Sequence, residues 1–284
     1  MILQTLIALV DGSIYSKSVC HYAAWLAKRS GARVKLYHVI GRREGIGQQD
    51  LSGTIQLGAR SHLLAELSEL DAKRAKLAQA QGRAILEDAQ AILQAEGVEV
   101  ETRLRQGDLV ETVMAKEQTG DMIVIGKRGE AADFAKLHLG SNLERVVRSS
   151  HKPVFVANRE FKQITKVLLA FDGRQSASKA VDFLAQSGLV KELPLTLAYA
   201  GENTREIRQS LERARATLAA AGREPETLVE NGRPEATLAR LVEEGRSDLL
   251  VMGAYGHSRL RSLLIGSTTS ETVRSCKVPI LLMR

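Results

Sequence analysis

The sequence predicts an α/β protein made of two tandem, doubly wound, Rossmann-like sheets, each of five parallel strands. Three observations lead there. Short apolar runs alternate with helical periods along all 284 residues, the β-α-β order that forms a parallel sheet with right-handed crossovers. The runs at 121–126 and 248–252 are continuously apolar, as expected for strands covered on both faces. Finally, the chain repeats itself. Leu6-Ile-Ala-Leu-Val-Asp-Gly12 is echoed by Leu168-Leu-Ala-Phe-Asp-Gly173, and Asp121-Met-Ile-Val-Ile-Gly-Lys-Arg-Gly129 by Asp248-Leu-Leu-Val-Met-Gly-Ala-Tyr-Gly256. Gly140-Ser141 pairs with Gly266-Ser267, and from there to Pro153 and Pro279 the offset stays at 126. Duplication is the simplest account. The boundary falls near Asn158–Gln163, which gives units 1–158 and 163–284.

In the first unit, strands are expected near 2–10, 33–40, 98–105, 121–126 and 153–157. The helix over 15–30 sets Tyr15, Val19, Tyr22 and Leu26 on one face and stops at Gly31. Residues 60–96, rich in Ala, Leu, Glu, Lys and Gln, make a long helix. Shorter helices follow at 108–119 and 141–150. Residues 41–59, polar and carrying five glycines, read as a loop, with a lid over a ligand as the functional alternative. In the second unit, strands fall near 166–171, 194–200, 226–230, 248–252 and 279–283. A Ser- and Lys-containing helix follows Asp172-Gly173, and further helices lie at 203–221, 234–245 and 267–275. Pro234 sits in a first turn, where its missing N–H costs nothing.

Composition narrows the function. Hydrophobic residues make up 44% and charged residues 26%, an ordinary globular balance in a chain long enough to fold without disulfides. The two cysteines, Cys20 and Cys276, stand in no CxxC pair, against a secreted disulfide scaffold or a zinc ribbon. Cys20 is expected to pack in the first helix. No basic residue precedes the apolar run at Met1–Val10, which reads as a strand rather than a signal peptide. No run approaches a membrane span. A cytoplasmic location follows as the expectation. The net charge of +7 comes with only 4% aromatics and no basic–aromatic interleaving, so nucleic acid is not the expected partner. The charge does suit a small phosphate ligand.

In an open α/β sheet, ligands bind beyond the C-terminal strand ends. Three features map there in each unit. Asp11 and Asp172 end strand one, where an Asp can also be a mere turn or cap residue. Gly126/Gly129 and Gly253/Gly256 follow strand four. Gly140-Ser141 and Gly266-Ser267 open the next helix, with Ser as a natural N-cap. Free N–H groups and the helix dipole make such a terminus an anion site, and glycines let backbone wrap a phosphate.

The spacing Gly253-x2-Gly256-x9-Gly266-Ser267 resembles the nucleotide-binding signature of the universal stress protein family, and the resemblance spans nearly the whole chain as two copies. It implies strand order 3-2-1-4-5 in each unit. It implies ATP or a related adenine nucleotide as ligand, with or without magnesium, and a strand-one Asp and the backbone ending strand two against adenine. The glycine loop and Gly-Ser would hold ribose and phosphates. Carried over, the second-unit site is Asp172, Ala200, Gly253, Gly256, Gly266, Ser267 and Thr268. The first-unit set is Asp11, Val39, Gly126, Gly129, Gly140 and Ser141, a weaker site. Arg174 departs from the family pattern by taking the Ser position after Asp172-Gly173. The first-unit loop carries Glu130 and Asp133, which oppose phosphate, partly offset by Lys127, Arg128 and Lys136. The second carries His257, Arg259 and Arg261, which favour it. The resemblance also implies that the last strands of the two units pair within one chain, with association of two chains left open.

No Gly-x4-Gly-Lys-[Ser/Thr] loop, no Gly-x-Gly-x-x-Gly after a first strand, no His-Glu-x-x-His and no Gly-x-Ser-x-Gly occur. The six histidines are dispersed, and no metal ligand set or catalytic residue is expected. His38, in a strand, reads as a packed residue. Three readings stand: a stress-response nucleotide binder, used mainly in its second unit, with slow or no hydrolysis; a stress or interaction protein that binds no nucleotide; and a weak ATPase.

Overall fold

A computed structural model of the chain describes residues 3–41, 57–129, 140–254 and 267–284. Its first half runs β1 (Thr5–Leu9), α1 (Ser16–Ser30), β2 (Arg33–Ile40), α2 (Leu57–Ala95), β3 (Val100–Gln106), α3 (Leu109–Lys116), β4 (Met122–Gly126), α4 (Ser141–Ser149) and β5 (Val154–Ala157). Its second runs β6 (Val167–Ala170), α5 (Gln175–Gln186), β7 (Leu195–Ala200), α6 (Arg205–Ala220), β8 (Glu226–Glu230), α7 (Pro234–Glu243), β9 (Leu249–Gly253), α8 (Ser267–Ser275) and β10 (Ile280–Met283). Local chemistry sets several ends. Gly31, at φ 72°, closes α1 in the left-handed conformation. Asp108 caps α3, accepting from the Val110 and Glu111 N–H groups at 2.9 and 3.0 Å.

The expectation of two five-stranded parallel sheets needs correction to one mixed sheet, joined where the last strands were expected to pair. The strands form one ten-stranded sheet, in the order β3-β2-β1-β4-β5-β10-β9-β6-β7-β8. β5 and β10 pair antiparallel, with Ile280 opposite Val156, Leu281 opposite Phe155 and Leu282 opposite Val154. The physical reason is the edge each half would otherwise expose. All four residues of β5 and all four of β10 are buried, and an apolar edge with unpaired backbone groups must be covered.

Side chains alternate across this sheet and divide the core into two layers. Leu6, Ala8 and Val10 join one cluster, which also takes residues of α1, α2, α5 and α6. Ile7 and Leu9 join the other, with residues of α3, α4, α7 and α8. Each cluster crosses from one half into the other. α1 is buried on most of its surface, from Ser18 to Ala27 with the exception of His21.

The seam fixes where ligand sites can open. Within each half the paired strands are parallel, whereas β5 and β10 are antiparallel. The C-terminal strand ends of the two halves therefore face opposite edges of the sheet.

Candidate functional site

At the first-half edge, β1 runs into Asp11 and Gly12. Gly12 has φ 79°, and a Cβ there would lie 2.8 Å from Ile85 Cδ1 on α2, so only glycine turns the chain here. Asp11 Oδ1 accepts from the Ser13 N–H at 3.0 Å and the Ser16 hydroxyl at 3.2 Å. Its Oδ2 lies 2.8 Å from where a Gly129 Cβ would stand. A Cβ on Gly126 would meet Tyr15 Cβ at 2.8 Å, and one on Gly140 would meet Arg128 Cα at 3.4 Å. Gly129 thus lies directly against Asp11 and Gly126 against Tyr15, where a Cβ would not fit, while Gly140 sits at ordinary contact distance from the Arg128 backbone. Val39 lies one strand over, in β2, two residues beyond the Leu9–Tyr37 pair.

The expected cap of α4 is corrected. Gly140, at φ −58° and ψ 126°, is the N-cap, and Ser141 is the first helical residue. Among the described residues no side chain caps this end, since a glycine cap has no side-chain oxygen to offer. A helix start with a glycine cap can offer its N–H groups to water or an anion.

At the opposite edge, β6 runs into Asp172. Its Oδ1 accepts from the Arg174 N–H at 3.0 Å, and its Oδ2 lies 3.9 Å from Arg174 Nε. Both side chains are exposed, so solvent screens the pair. Ala200 ends β7, paired with Glu230. Gly253 ends β9, where a Cβ would come within 2.8 Å of Ser176 Cβ and 3.1 Å of the Ala177 nitrogen. The buried Thr269 hydroxyl donates to the Ala254 carbonyl at 3.1 Å and ties α8 to this strand end. Gly256 and Gly266 lie outside the described residues, as do residues 42–56, Glu130, Asp133, Lys136, His257, Arg259 and Arg261. Ser267 and Thr268 are the first two residues of α8.

Two cations were not foreseen in the role they take. The Lys127 ammonium was expected to offset the acids of its own loop. Instead it crosses the seam and donates to the Cys276 carbonyl at 2.8 Å. Burial pushes it down to about 8. Arg284 reaches the other way, donating to the Arg148 and Ser150 carbonyls at 2.6 and 2.9 Å. The C-terminal ends of α4 and α8 are each bound by a cation of the opposite half, which complements the helix dipole. Ser150 and Cys276 are equivalent at the 126-residue offset, so the repeat held a signal for paired positions but not for what binds them.

His38 is packed as expected, with Nδ1 at 2.9 Å from the Val10 carbonyl oxygen. Cys20 is buried in α1. Among the described residues there is no cluster of three or more His, Cys, Asp or Glu that could hold a metal, and no helix long and apolar enough to cross a membrane.

The sequence profile of the universal stress protein family matches residues 3–158 and 195–284. A universal stress protein of Synechocystis sp. is 37% identical over 99% of this chain and 100% of its own length. One from Mycolicibacterium smegmatis is 24% identical over 97% of this chain and 95% of its own. The crystal structure of a universal stress protein from Archaeoglobus fulgidus superposes with a TM-score of 0.70 at 20% identity, covering 99% of this chain and 98% of that one.

Proposed function

Because the chain belongs to the universal stress protein family, we propose that it is a stress-response regulatory protein that binds ATP or a related adenine nucleotide, mainly in its second half, with slow or no hydrolysis. The two units of function are 1–158 and 163–284. The protein works in the cytoplasm, and nucleic acid is not its partner.

The observation that carries the nucleotide reading is the glycine-built cradle at the first-half edge. Gly126 and Gly129 approach Tyr15 and Asp11 too closely for a Cβ, beside the Gly140 start of α4, so the edge is built of backbone. The second half repeats the pattern in sequence, and its Gly253 is packed as tightly as Gly126. Preference for the second half rests on charge. In the first, the Asp11 carboxylate faces Gly129 and Lys127 is committed across the seam, so a phosphate would meet an anion with one cation withdrawn. In the second, Arg174 stands beside Asp172. Magnesium, when present, would arrive on the nucleotide's own phosphates.

One observation favours the reading without nucleotide. Arg174 occupies Asp172, the residue assigned to adenine. The contact is exposed and weak, so a base can displace it. The deciding experiment denatures the purified protein, identifies any released small molecule by mass spectrometry, and titrates ATP by calorimetry against wild type, Gly256→Val and Asp172→Ala. One ATP per chain, lost in Gly256→Val, supports the second-half site. Two per chain refutes the discount of the first half. No nucleotide and no heat refutes the ATP reading. Turnover above background that Gly256→Val abolishes would make the protein an ATPase.

A further inference from the structure

α2 spans 39 residues, and its fully buried residues lie in its later part; before it Leu63, Leu67, Asp71, Ala75 and Ala78 are half-buried. Gly82, Leu86, Ala89 and Leu93 are buried, whereas no residue from His62 to Gln81 is. At 1.5 Å per residue, that stretch runs about 30 Å. It is not uniformly polar. Leu63, Leu67, Leu70, Arg74, Leu77 and Gln81 follow one another at alternating spacings of four and three, the pattern of a coiled-coil seam. Of the four large apolar residues most exposed in the described structure, three are here: Leu64, Leu70 and Leu77, at 53%, 50% and 69%. A lone helix with such a stripe gains nothing from holding it in water.

The flanking charges say what covers the stripe. Glu66 and Lys73 border it on one side and Asp71 on the other. A parallel partner of the same sequence would set Arg74 against Arg74 and Glu66 beside Asp71, both repulsive. An antiparallel copy, with its two-fold between Ser68 and Glu69, sets Leu67 against Leu70 twice and lays the stem of Arg74 over Leu63. It also brings Glu66 of each helix to Lys73 of the other. The segment is thus complementary to itself in one orientation only, which is what a two-fold interface requires. Lys73 now pairs with Glu69 at 2.7 Å and Arg74 with Asp71 at 3.8 Å within the helix, and such exposed pairs rearrange at little cost.

We propose that the earlier part of α2 pairs antiparallel with the same segment of a second copy of this chain. The contact is separate from the β5–β10 seam. Sedimentation velocity on the full-length protein tests it. The wild type is expected to dimerise. Leu70→Glu should give a folded monomer with the circular dichroism spectrum of the wild type, because Leu70 is exposed in the single chain. Glu66→Lys and Lys73→Glu should each weaken the dimer at least about tenfold, and the two together should restore it to within about threefold. These two variants keep the test valid should Leu70→Glu fail to fold. A wild type that stays monomeric at about 100 μM, a dimer that survives Leu70→Glu, or a double variant no better than the singles would each overturn the proposal.

Discussion

Replacing Lys127 by Met tests the seam through its pH dependence. The Lys127 ammonium is held down from 10.5 to about 8, chiefly by burial. The unfolded chain keeps this proton up to about pH 10.5, whereas the folded chain gives it up near pH 8. Between those values the unfolded state binds more protons, so stability rises with pH. Below about pH 8 both states are protonated and the cost of burying the charge is carried in full. At about 1.4 kcal/mol per pH unit the whole displacement is worth about 3 kcal/mol, of which about 2 kcal/mol is recovered between about pH 7 and pH 9.5. Other groups act oppositely. Burial raises Cys20 and Tyr22 to about 12, so their ionisation in the unfolded chain erodes stability in alkali. Both proteins share that loss, and it cancels in the difference. Methionine keeps the stem and removes the charge, leaving the Cys276 carbonyl without its donor at a cost of about 1 kcal/mol at every pH. Urea unfolding followed by circular dichroism should therefore show wild type gaining about 2 kcal/mol on Lys127→Met from about pH 7 to pH 9.5. A gap constant to within about 0.5 kcal/mol would show the ammonium to be solvated and refute the reasoning.

Other outcomes follow from packing and hydrogen bonding. Gly253→Ala forces a Cβ to within 2.8 Å of Ser176 Cβ and should cost about 1–3 kcal/mol; Ser176→Gly in the same chain should relieve at least about 1 kcal/mol of it, and a coupling near zero by denaturant titration would contradict the close approach. Phe155→Ala opens a cavity at the fully buried centre of the seam and should destabilise by about 3–5 kcal/mol in the same assay. Burial raises the Glu117 carboxyl, but bonds from the Ser150 hydroxyl, the His151 and Lys152 N–H groups and the His151 ring outweigh it and hold the group below its ordinary value. Its contribution is present above the unfolded carboxylate's titration and lost as pH falls through the folded one, so the stability advantage over Glu117→Gln should shrink in acid.

Much of the fold was legible because parallel strands covered on both faces write themselves as unbroken apolar runs. Met122–Ile125 and Leu249–Met252 are buried throughout, and the same hydrophobicity located β1, β5, β6 and β10. The glycines of the first-half cradle were legible too, since a backbone that must approach a side chain as Gly126 approaches Tyr15 excludes every other residue. The join between the halves was legible only through the family resemblance, which implied that the last strands pair within one chain, as β5 and β10 do; four apolar residues by themselves look the same whether their neighbour is in their own half or the other. The path of Lys127 was not read. Its acceptor lies 149 positions away in sequence, and the loop position suggested only a phosphate neighbour. The cap of α4 was misassigned by one residue, since a Gly-Ser pair offers either residue as cap and only backbone dihedrals decide. The exposed stripe of α2 escaped notice because leucines at helical spacing ordinarily mean core.

Joining β5 and β10 in one polypeptide changes how the seam responds to dilution. Between two separate chains the pairing would obey mass action and fade below its dissociation constant. Here each strand meets the other at an effective concentration set by the intervening chain, which does not fall as the protein becomes scarce. The two opposed edges consequently stay in fixed one-to-one ratio at any expression level. The duplication is also free to let its halves diverge. Asp11-Gly12-Ser13 and Asp172-Gly173-Arg174 can specialise separately, because each is encoded by its own stretch of the chain.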